Sequence, residues 1–131
     1  MDRVISFDFD GVIHSYISGW RGVDVILDRP VPGIREAIAG IRAAGYQVVV
    51  HSYRNGTEAG RVAIEAWLAV NGIIVDGIVS EKPLAVVHID DRCICFDGNA
   101  GDLLRKIESF TPWYPQEYLP WNDEGEADNG A

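Results

Sequence analysis

The chain has 131 residues, enough for one domain with a single hydrophobic core, because two independent domains would each fall near the lower size limit for autonomous folding. A composition of 47% hydrophobic and 24% charged residues excludes an intrinsically disordered chain. The net charge of −9 argues against a long nucleic-acid tract as partner, because binding to many phosphates needs an excess of basic residues.

Short apolar runs alternate with helical patterns along the chain. The predicted strands cover residues 4–7, 46–51, 77–80, 86–89 and 93–96, and the predicted helices cover residues 34–41, 57–70 and about 100–110. An irregular segment, residues 12–32, forms a loop or flap between the first strand and the first helix. This alternation predicts an α/β fold with a mainly parallel sheet that is covered by helices on both sides.

The sequence predicts one domain over residues 1–121 and an acidic, disordered tail over residues 122–131. Aromatic residues between prolines at 111–121 should cover an apolar face or form a subunit interface in a homo-oligomer: Trp113, Tyr114, Tyr118 and Trp121. Cys93 and Cys95 are interpreted as reduced core residues, because two positions in one strand are poorly placed for a disulfide. With no signal peptide or membrane span in the sequence, we expect a cytoplasmic protein.

Two acidic pairs directly follow predicted buried strands. Asp8 and Asp10 come after residues 4–7, and Asp90 and Asp91 come after residues 86–89. Because parallel strands present their carboxyl ends at one edge of the sheet, we expect all four carboxylates to converge there. Such a cluster needs a counter-charge, and a hard divalent cation with oxygen ligands, Mg²⁺ above all, is the expected cofactor.

Two basic residues and a serine follow other strands and should reach the same edge. Ser52 and Arg54 come after residues 46–51, and Lys82 comes after residues 77–80. Four carboxylates, Mg²⁺, Arg54 and Lys82 sum to zero formal charge, so the site could accept a phosphate dianion.

These residues together resemble the four ordered motifs of the haloacid dehalogenase superfamily. The first motif is Asp8-Phe9-Asp10-Gly11-Val12, the second is Ser52, the third is Lys82-Pro83 and the fourth is Asp90-Asp91. The match extends over residues 4 to about 98. It implies a Rossmann-like three-layer αβα sandwich and phosphoryl-transfer chemistry, and the insert of about twenty residues leaves no room for a cap domain.

The resemblance also implies roles for the residues. Asp8 would attack phosphorus to form an aspartyl-phosphate, and Asp10 would serve as general acid and then as general base. Ser52 would bind phosphoryl oxygens, and Lys82 would hold Asp8 and the phosphate together. The Asp8 carboxylate, the Asp10 main-chain carbonyl and one acid of the fourth motif would bind Mg²⁺. We favour Asp91 as that ligand, with Asp90 orienting Lys82 or a metal-bound water.

A closer resemblance concerns the second and fourth motifs. Ser52-Tyr53-Arg54 and Asp90-Asp91-Arg92 are similar to signatures of the polynucleotide 3′-phosphatase and deoxyribonucleotidase branches and of small phage or bacterial phosphatase-like proteins. Arg54 would then contact substrate phosphate. The predicted function is a magnesium-dependent phosphatase acting on a nucleotide or a small phosphoester. Tyr16 and Trp20 could stack on a nucleobase, although packing is the expected role of such residues.

Two other functions are compatible with the pattern. A receiver-type phospho-acceptor domain also combines acids at strand ends with a lysine and Mg²⁺, but Ser52 stands where its acceptor aspartate is expected. A non-catalytic binding module of the same fold is the third reading, although all the required acids and the lysine are present. His14, His51 and His88 show no metal-ligand spacing, and His14 is the one nearest to the acidic loop.

Overall fold

A four-stranded parallel sheet forms the centre of the protein. The computed structural model describes residues 3–114. The strands β1 (Val4–Phe7), β2 (Gln47–His51), β3 (Gly77–Val79) and β4 (Val87–Ile89) lie in the order β3-β2-β1-β4, and all neighbouring pairs are parallel. This confirms the α/β class with a parallel sheet. It also places the carboxyl ends of β1, β2 and β4, which the acids and Ser52 follow, at one edge of the sheet.

The first two helices connect consecutive strands, as the sequence pattern predicts. Helix α1 (Ile34–Ala43) leads to β2, and α2 (Glu58–Val70) leads to β3. Thr57 caps α2, since its side-chain oxygen accepts a hydrogen bond of 3.1 Å from the Gly60 amide. Gly45 ends α1 with φ of 99°, a left-handed conformation that favours glycine. A 3-10 helix (Tyr53–Gly56) lies between β2 and α2.

The hydrophobic core lies between the sheet and these two helices. Ile5 pairs with Val48 and Phe7 with Val50, so the four side chains form adjacent rows on one face of the sheet, and all are buried. Helices contribute further buried residues to the same cluster: Ile38, Ile64, Trp67 and Leu68. The flap is part of this core as well, because Ile13 is fully buried in it. The edge of the sheet that carries the acids therefore rests on a packed base.

The C-terminal third differs from the prediction in two respects. Residues 93–96 form no strand, and Cys93 and Cys95 are exposed free thiols rather than core residues, because the chain turns away from the sheet after β4. Helix α3 (Leu103–Ser109) follows a 3-10 helix (Ala100–Asp102), but none of its residues is buried. The described chain therefore has a well-packed layer formed by α1 and α2, whereas α3 adds no buried layer.

The end of the chain is described only in part. Trp113 is exposed and Tyr114 is buried, while Tyr118, Trp121 and the acidic tail lie outside the described residues. The predicted disorder of the tail and the predicted oligomer contact through these aromatics therefore stay predictions. No helix within residues 3–114 combines the length and the apolar character that crossing a membrane requires.

Gly60 provides a test of how α2 supports the acidic edge of the sheet. A Cβ atom on Gly60 would overlap the main-chain carbonyl of Arg54, whereas a Cβ atom on Gly40 in α1 would meet nothing within 4 Å. We expect Gly60→Ala to lower the free energy of unfolding by ~1–3 kcal/mol because of this overlap. Gly40→Ala should raise it by ~0.5–1 kcal/mol, since alanine loses less conformational entropy in a helix.

Equilibrium denaturation of both variants would check this pair of expectations. Equal changes in the two variants would show that the space next to Arg54 does not limit position 60.

Candidate functional site

A cavity of about 350 Å³ opens at the carboxyl edge of the sheet. Acids from the ends of β1 and β4 form one part of its lining, and aromatic side chains form another. Its lining residues are Asp8, Asp10, Tyr16, Trp20, Ser52, Tyr53, Asp90, Asp91, Arg92 and Tyr114. The cavity therefore contains both predicted acidic pairs and the serine.

Three of the four predicted acids form a cluster. One ligand oxygen from each of Asp8, Asp90 and Asp91 lies within 4.8 Å of the others. The ladder between β1 and β4 continues up to the acids, because the Asp8 amide donates to the Ile89 carbonyl at 2.9 Å. The spacing of the acids is thus set by the sheet itself. Although they are consecutive in sequence, Asp90 and Asp91 both reach the cluster.

Burial and like charge raise the pKa of Asp8 to about 10. Removal from solvent is the main cause, and the carboxyl groups of Asp91 and Asp90 add to it. The pKa of Asp90 is raised as well, because desolvation disfavours its charged form. The neighbouring Asp91 carboxylate raises it further through like-charge repulsion. Ionisation of a carboxyl group in this position is unfavourable because other carboxylates lie next to it. A bound proton or a neighbouring cation removes this cost.

Asp10 stands apart from this cluster and is held by two partners. Arg54 donates from Nε to Oδ2 at 2.8 Å and from Nη2 to Oδ1 at 3.2 Å, and His14 Nδ1 lies 2.8 Å from Oδ1. The Asp28 amide donates to His14 Nε2 at 3.2 Å, so Nε2 is an acceptor and the proton of the neutral ring lies on Nδ1. Asp10 therefore lines the same cavity as the other three acids, but its negative charge is paired with Arg54 and it is not part of their cluster.

Arg54 has a different environment from the one expected of a phosphate-binding residue. Its side chain is 0% exposed, and Nη1 donates to the Gly22 and Val23 carbonyls at 2.8 Å each. The guanidinium also lies over the Trp20 ring, 4.7 Å from its centroid. Four of its five N–H groups thus serve Asp10 and the flap. Direct contact of Arg54 with substrate phosphate stays a prediction.

Ser52 lies in the cavity, whereas Lys82 does not line it. Ser52 is buried, and its Oγ accepts a hydrogen bond of 3.2 Å from the Arg54 amide, which leaves its hydroxyl proton for another acceptor. Lys82 is exposed on the loop after β3 and makes no ion pair with any residue in the described range 3–114. Its predicted bridge to Asp8 stays a prediction.

Two residues with a structural part in the site were not assigned by the sequence pattern. Asn55 Nδ2 donates to the carbonyls of Val50 and Val79, at 3.1 and 2.9 Å, and so ties together the carboxyl ends of β2 and β3. Tyr114 donates its hydroxyl to Asp91 Oδ2, far away in sequence. Neither contact has a sequence signal, because a polar residue after a strand and an aromatic residue near a proline are each common.

The donor set fits a hard divalent cation. Asp8, Asp90 and Asp91 offer only carboxylate oxygens, the ligands that Mg²⁺ prefers. The spacing of these oxygens and the raised pKa of Asp8 both indicate a place where positive charge is favoured. The group includes both Asp90 and Asp91, so the choice of Asp91 as the single direct ligand stays a prediction, as does the role of the Asp10 main-chain carbonyl.

Comparison with known proteins is informative about the fold. No protein-family model matches the chain, and no curated protein matches it. Among solved structures, it is similar to a conserved protein from Bacteroides thetaiotaomicron with a TM-score of 0.54. The two sequences are 22% identical, and the match covers 82% of this chain and 91% of the other. This similarity shows a shared fold, in agreement with the Rossmann-like α/β character of the parallel sheet.

The raised pKa of Asp8 predicts how the stability of the metal-free protein depends on pH. The carboxyl group has an ordinary pKa of 3.8 in the unfolded chain and about 10 in the folded protein. Its contribution to stability is therefore complete below about 4 and is lost as the pH rises through about 10. We expect the free energy of unfolding in EDTA to fall between about pH 6 and 9, by at most ~1.4 kcal/mol per pH unit for one titrating group.

Denaturation at several pH values would check this slope. Asp8→Asn should reduce the slope, because an amide does not titrate. The matched control is Asp97→Asn, since Lys106 lowers the pKa of Asp97 and its titration lies below this range. An identical slope in wild type and Asp8→Asn would contradict the assignment.

Proposed function

We propose that the protein is a magnesium-dependent phosphatase of the haloacid dehalogenase superfamily that acts through an aspartyl-phosphate intermediate on Asp8. The observation that carries the proposal is the cluster of Asp8, Asp90 and Asp91 within 4.8 Å, in the same cavity as an Asp10 that Arg54 and His14 hold. The order of the four sequence motifs supports the same chemistry.

In the proposed reaction, an Asp8 carboxylate oxygen attacks phosphorus while the bond from phosphorus to the leaving oxygen breaks. Asp10, after taking up a proton beside Arg54, gives that proton to the leaving oxygen and afterwards takes one from the attacking water, so that the bond from Asp8 to phosphorus breaks and inorganic phosphate leaves. Bound Mg²⁺, held by Asp8 and by Asp91 or Asp90, would supply the positive charge that lets a carboxylate approach a phosphate dianion.

The hydrogen bonds of Asp10 indicate which oxygen carries the proton. A carboxylate offers about four lone-pair sites on its two oxygens. Among the described residues 3–114, Oδ1 accepts from both His14 and Arg54, whereas Oδ2 accepts only from Arg54. The open site is therefore on Oδ2, and we assign the transferred proton to that atom. His14 and Arg54 would act by keeping the carboxylate in one orientation.

The remaining polar groups have supporting roles in this proposal. Ser52 would donate its hydroxyl proton to a phosphoryl oxygen from its buried place in the cavity lining. Lys82 would approach the phosphate from the exposed loop after β3, where its ammonium has no competing ion pair among the described residues. Arg54 neutralises Asp10 and directs four of its five N–H groups to Asp10 and the flap, so it would add little to phosphate binding.

The aromatic part of the cavity favours a nucleotide over a small aliphatic phosphoester. Trp20 and Tyr53 are in edge contact, with ring centroids 5.7 Å apart, and Tyr53 is 80% exposed although it lines the cavity. An exposed aromatic ring next to a phosphate site offers a stacking surface for a flat base. We propose a nucleoside monophosphate as the substrate class.

Asp8→Asn should abolish phosphate release. An amide is a poor nucleophile, so we expect the turnover of p-nitrophenyl phosphate with Mg²⁺ to fall by at least about a thousandfold. The matched control is Asp102→Asn, which removes an exposed pair with Arg105 and should retain full activity. Phosphate release would be measured with and without EDTA.

Two outcomes would contradict the proposed hydrolase. Wild-type protein without turnover on a broad panel of phosphomonoesters would do so. A long-lived phospho-adduct after treatment with acetyl phosphate, without release of phosphate, would favour the receiver-type phospho-acceptor instead.

Tyr53→Ala tests the proposed substrate class. The loss of a stacking surface should lower kcat/KM for nucleoside monophosphates by about tenfold, equivalent to ~1.4 kcal/mol. The hydrolysis of glycerol phosphate, which carries no ring, should change little in the same variant. Equal losses on both substrates would show that Tyr53 does not contact a base.

A further inference from the structure

Tyr114 reaches the acidic cluster from the far end of the described chain. Its side chain is only 6% exposed, and its ring packs edge-on against Tyr16, with centroids 5.6 Å apart. Its hydroxyl donates a hydrogen bond to Asp91 Oδ2. The Arg92 side chain also lies at this hydroxyl. Tyr114 therefore combines a fixed ring with polar contacts at the acidic cluster.

Gly11, in the loop after β1, contacts the same segment and allows the close approach of Tyr114 to Asp91. Trp113 Nε1 donates to the Gly11 carbonyl at 2.7 Å, so the segment that carries Tyr114 is tied to the loop after β1. Gly11 has φ of 83°, and a Cβ atom there would lie 2.5 Å from Asp91 Oδ2 and 2.6 Å from the Tyr114 ring. Only glycine lets the loop, Asp91 and Tyr114 meet in this way.

We propose that Tyr114 is a positioning residue that holds the Asp91 carboxylate in the orientation in which it binds the divalent ion. This inference rests on the proposed function. It adds that residues 110–114, which follow α3, form part of the metal centre through Tyr114.

The physical reason is the repulsion among three neighbouring carboxylates. Without a donor, the Asp91 side chain would lower its energy by turning away from Asp8 and Asp90. The Tyr114 hydroxyl opposes this rotation with one hydrogen bond to Asp91 and is itself uncharged. It uses one of about four lone-pair sites on the carboxylate, so the others stay open to a metal. Hydrogen-bond partners of metal ligands commonly affect affinity by about 10–100-fold.

Tyr114→Phe in the full-length chain removes this hydrogen bond and keeps the ring. Isothermal titration with Mg²⁺ should give a Kd about tenfold weaker than that of wild type. The matched control is Tyr46→Phe. Tyr46 lies just before β2, at the opposite end of the sheet, and its hydroxyl accepts a hydrogen bond from Arg3. The control should bind Mg²⁺ like wild type.

The dependence of activity on Mg²⁺ concentration gives a second measurement. It distinguishes a positioning role from a general loss of structure, which would lower kcat as well. The Mg²⁺ concentration for half-maximal phosphatase activity should rise about tenfold in Tyr114→Phe, whereas kcat at saturating Mg²⁺ should be retained. If Tyr114→Phe does not fold, Trp113→Phe decides the question, because Trp113 is exposed and its indole N–H anchors the same segment. That variant should weaken Mg²⁺ binding by a smaller factor.

The outcomes separate this inference from the proposed function. Unchanged or tighter Mg²⁺ binding by Tyr114→Phe, or by Trp113→Phe where only that variant folds, would overturn the positioning role while wild-type activity stood. A wild-type protein that bound no Mg²⁺ and hydrolysed no phosphomonoester would overturn both.

Discussion

The repulsion among Asp8, Asp90 and Asp91 is the constraint around which the structure is arranged. The parallel ladder between β1 and β4 fixes their separation, because the Asp8 amide still pairs with Ile89 where the acids begin. The backbones of β1 and β4 cannot move apart without breaking this ladder, and the partial burial of Asp8 and Asp91 reduces the screening by water. The raised pKa of Asp8 reflects the free-energy cost of keeping a negative charge at this place. A fold that keeps such an arrangement has its lowest free energy with a cation or a proton between the acids.

Asp10 shows how the same edge supports an acid of a different kind. It is two residues from Asp8, yet its charge is compensated inside the protein by Arg54 and its orientation is set by His14. The acids therefore divide into a cluster of three neighbouring carboxylates and one carboxylate whose charge is paired with Arg54. Arg54 also holds the flap carbonyls at Gly22 and Val23, so the position of Asp10 depends on the flap. In the proposed reaction the cluster would hold the divalent ion, whereas Asp10 would be kept in one orientation by its partners.

Much of the fold could be predicted from the sequence, because strand burial, helical spacing and capping residues act locally. The apolar runs before Asp8 and Asp90 predicted β1 and β4, and Thr57 predicted the start of α2. The prediction failed at 93–96, where an apolar run is equally compatible with an irregular segment. At the site, sequence placed the acids at one edge but could not assign their partners. The rotamers of Asp10 and Arg54, 44 positions apart, depend on tertiary contacts that no local pattern encodes.

The attachment of Trp113 and Tyr114 to the acidic edge shows why tertiary contacts matter for the site. Helix α3 contributes no buried residue, so it does little to hold the segment that follows it. That segment is instead fixed by contacts at the acidic edge, where Trp113 binds the Gly11 carbonyl and Tyr114 binds Asp91. Two parts of the molecule that share one set of contacts stabilise each other in equal measure. An ion that bound Asp91 would therefore also stabilise the positions of Trp113 and Tyr114, and their contacts would contribute to the free energy of binding that ion.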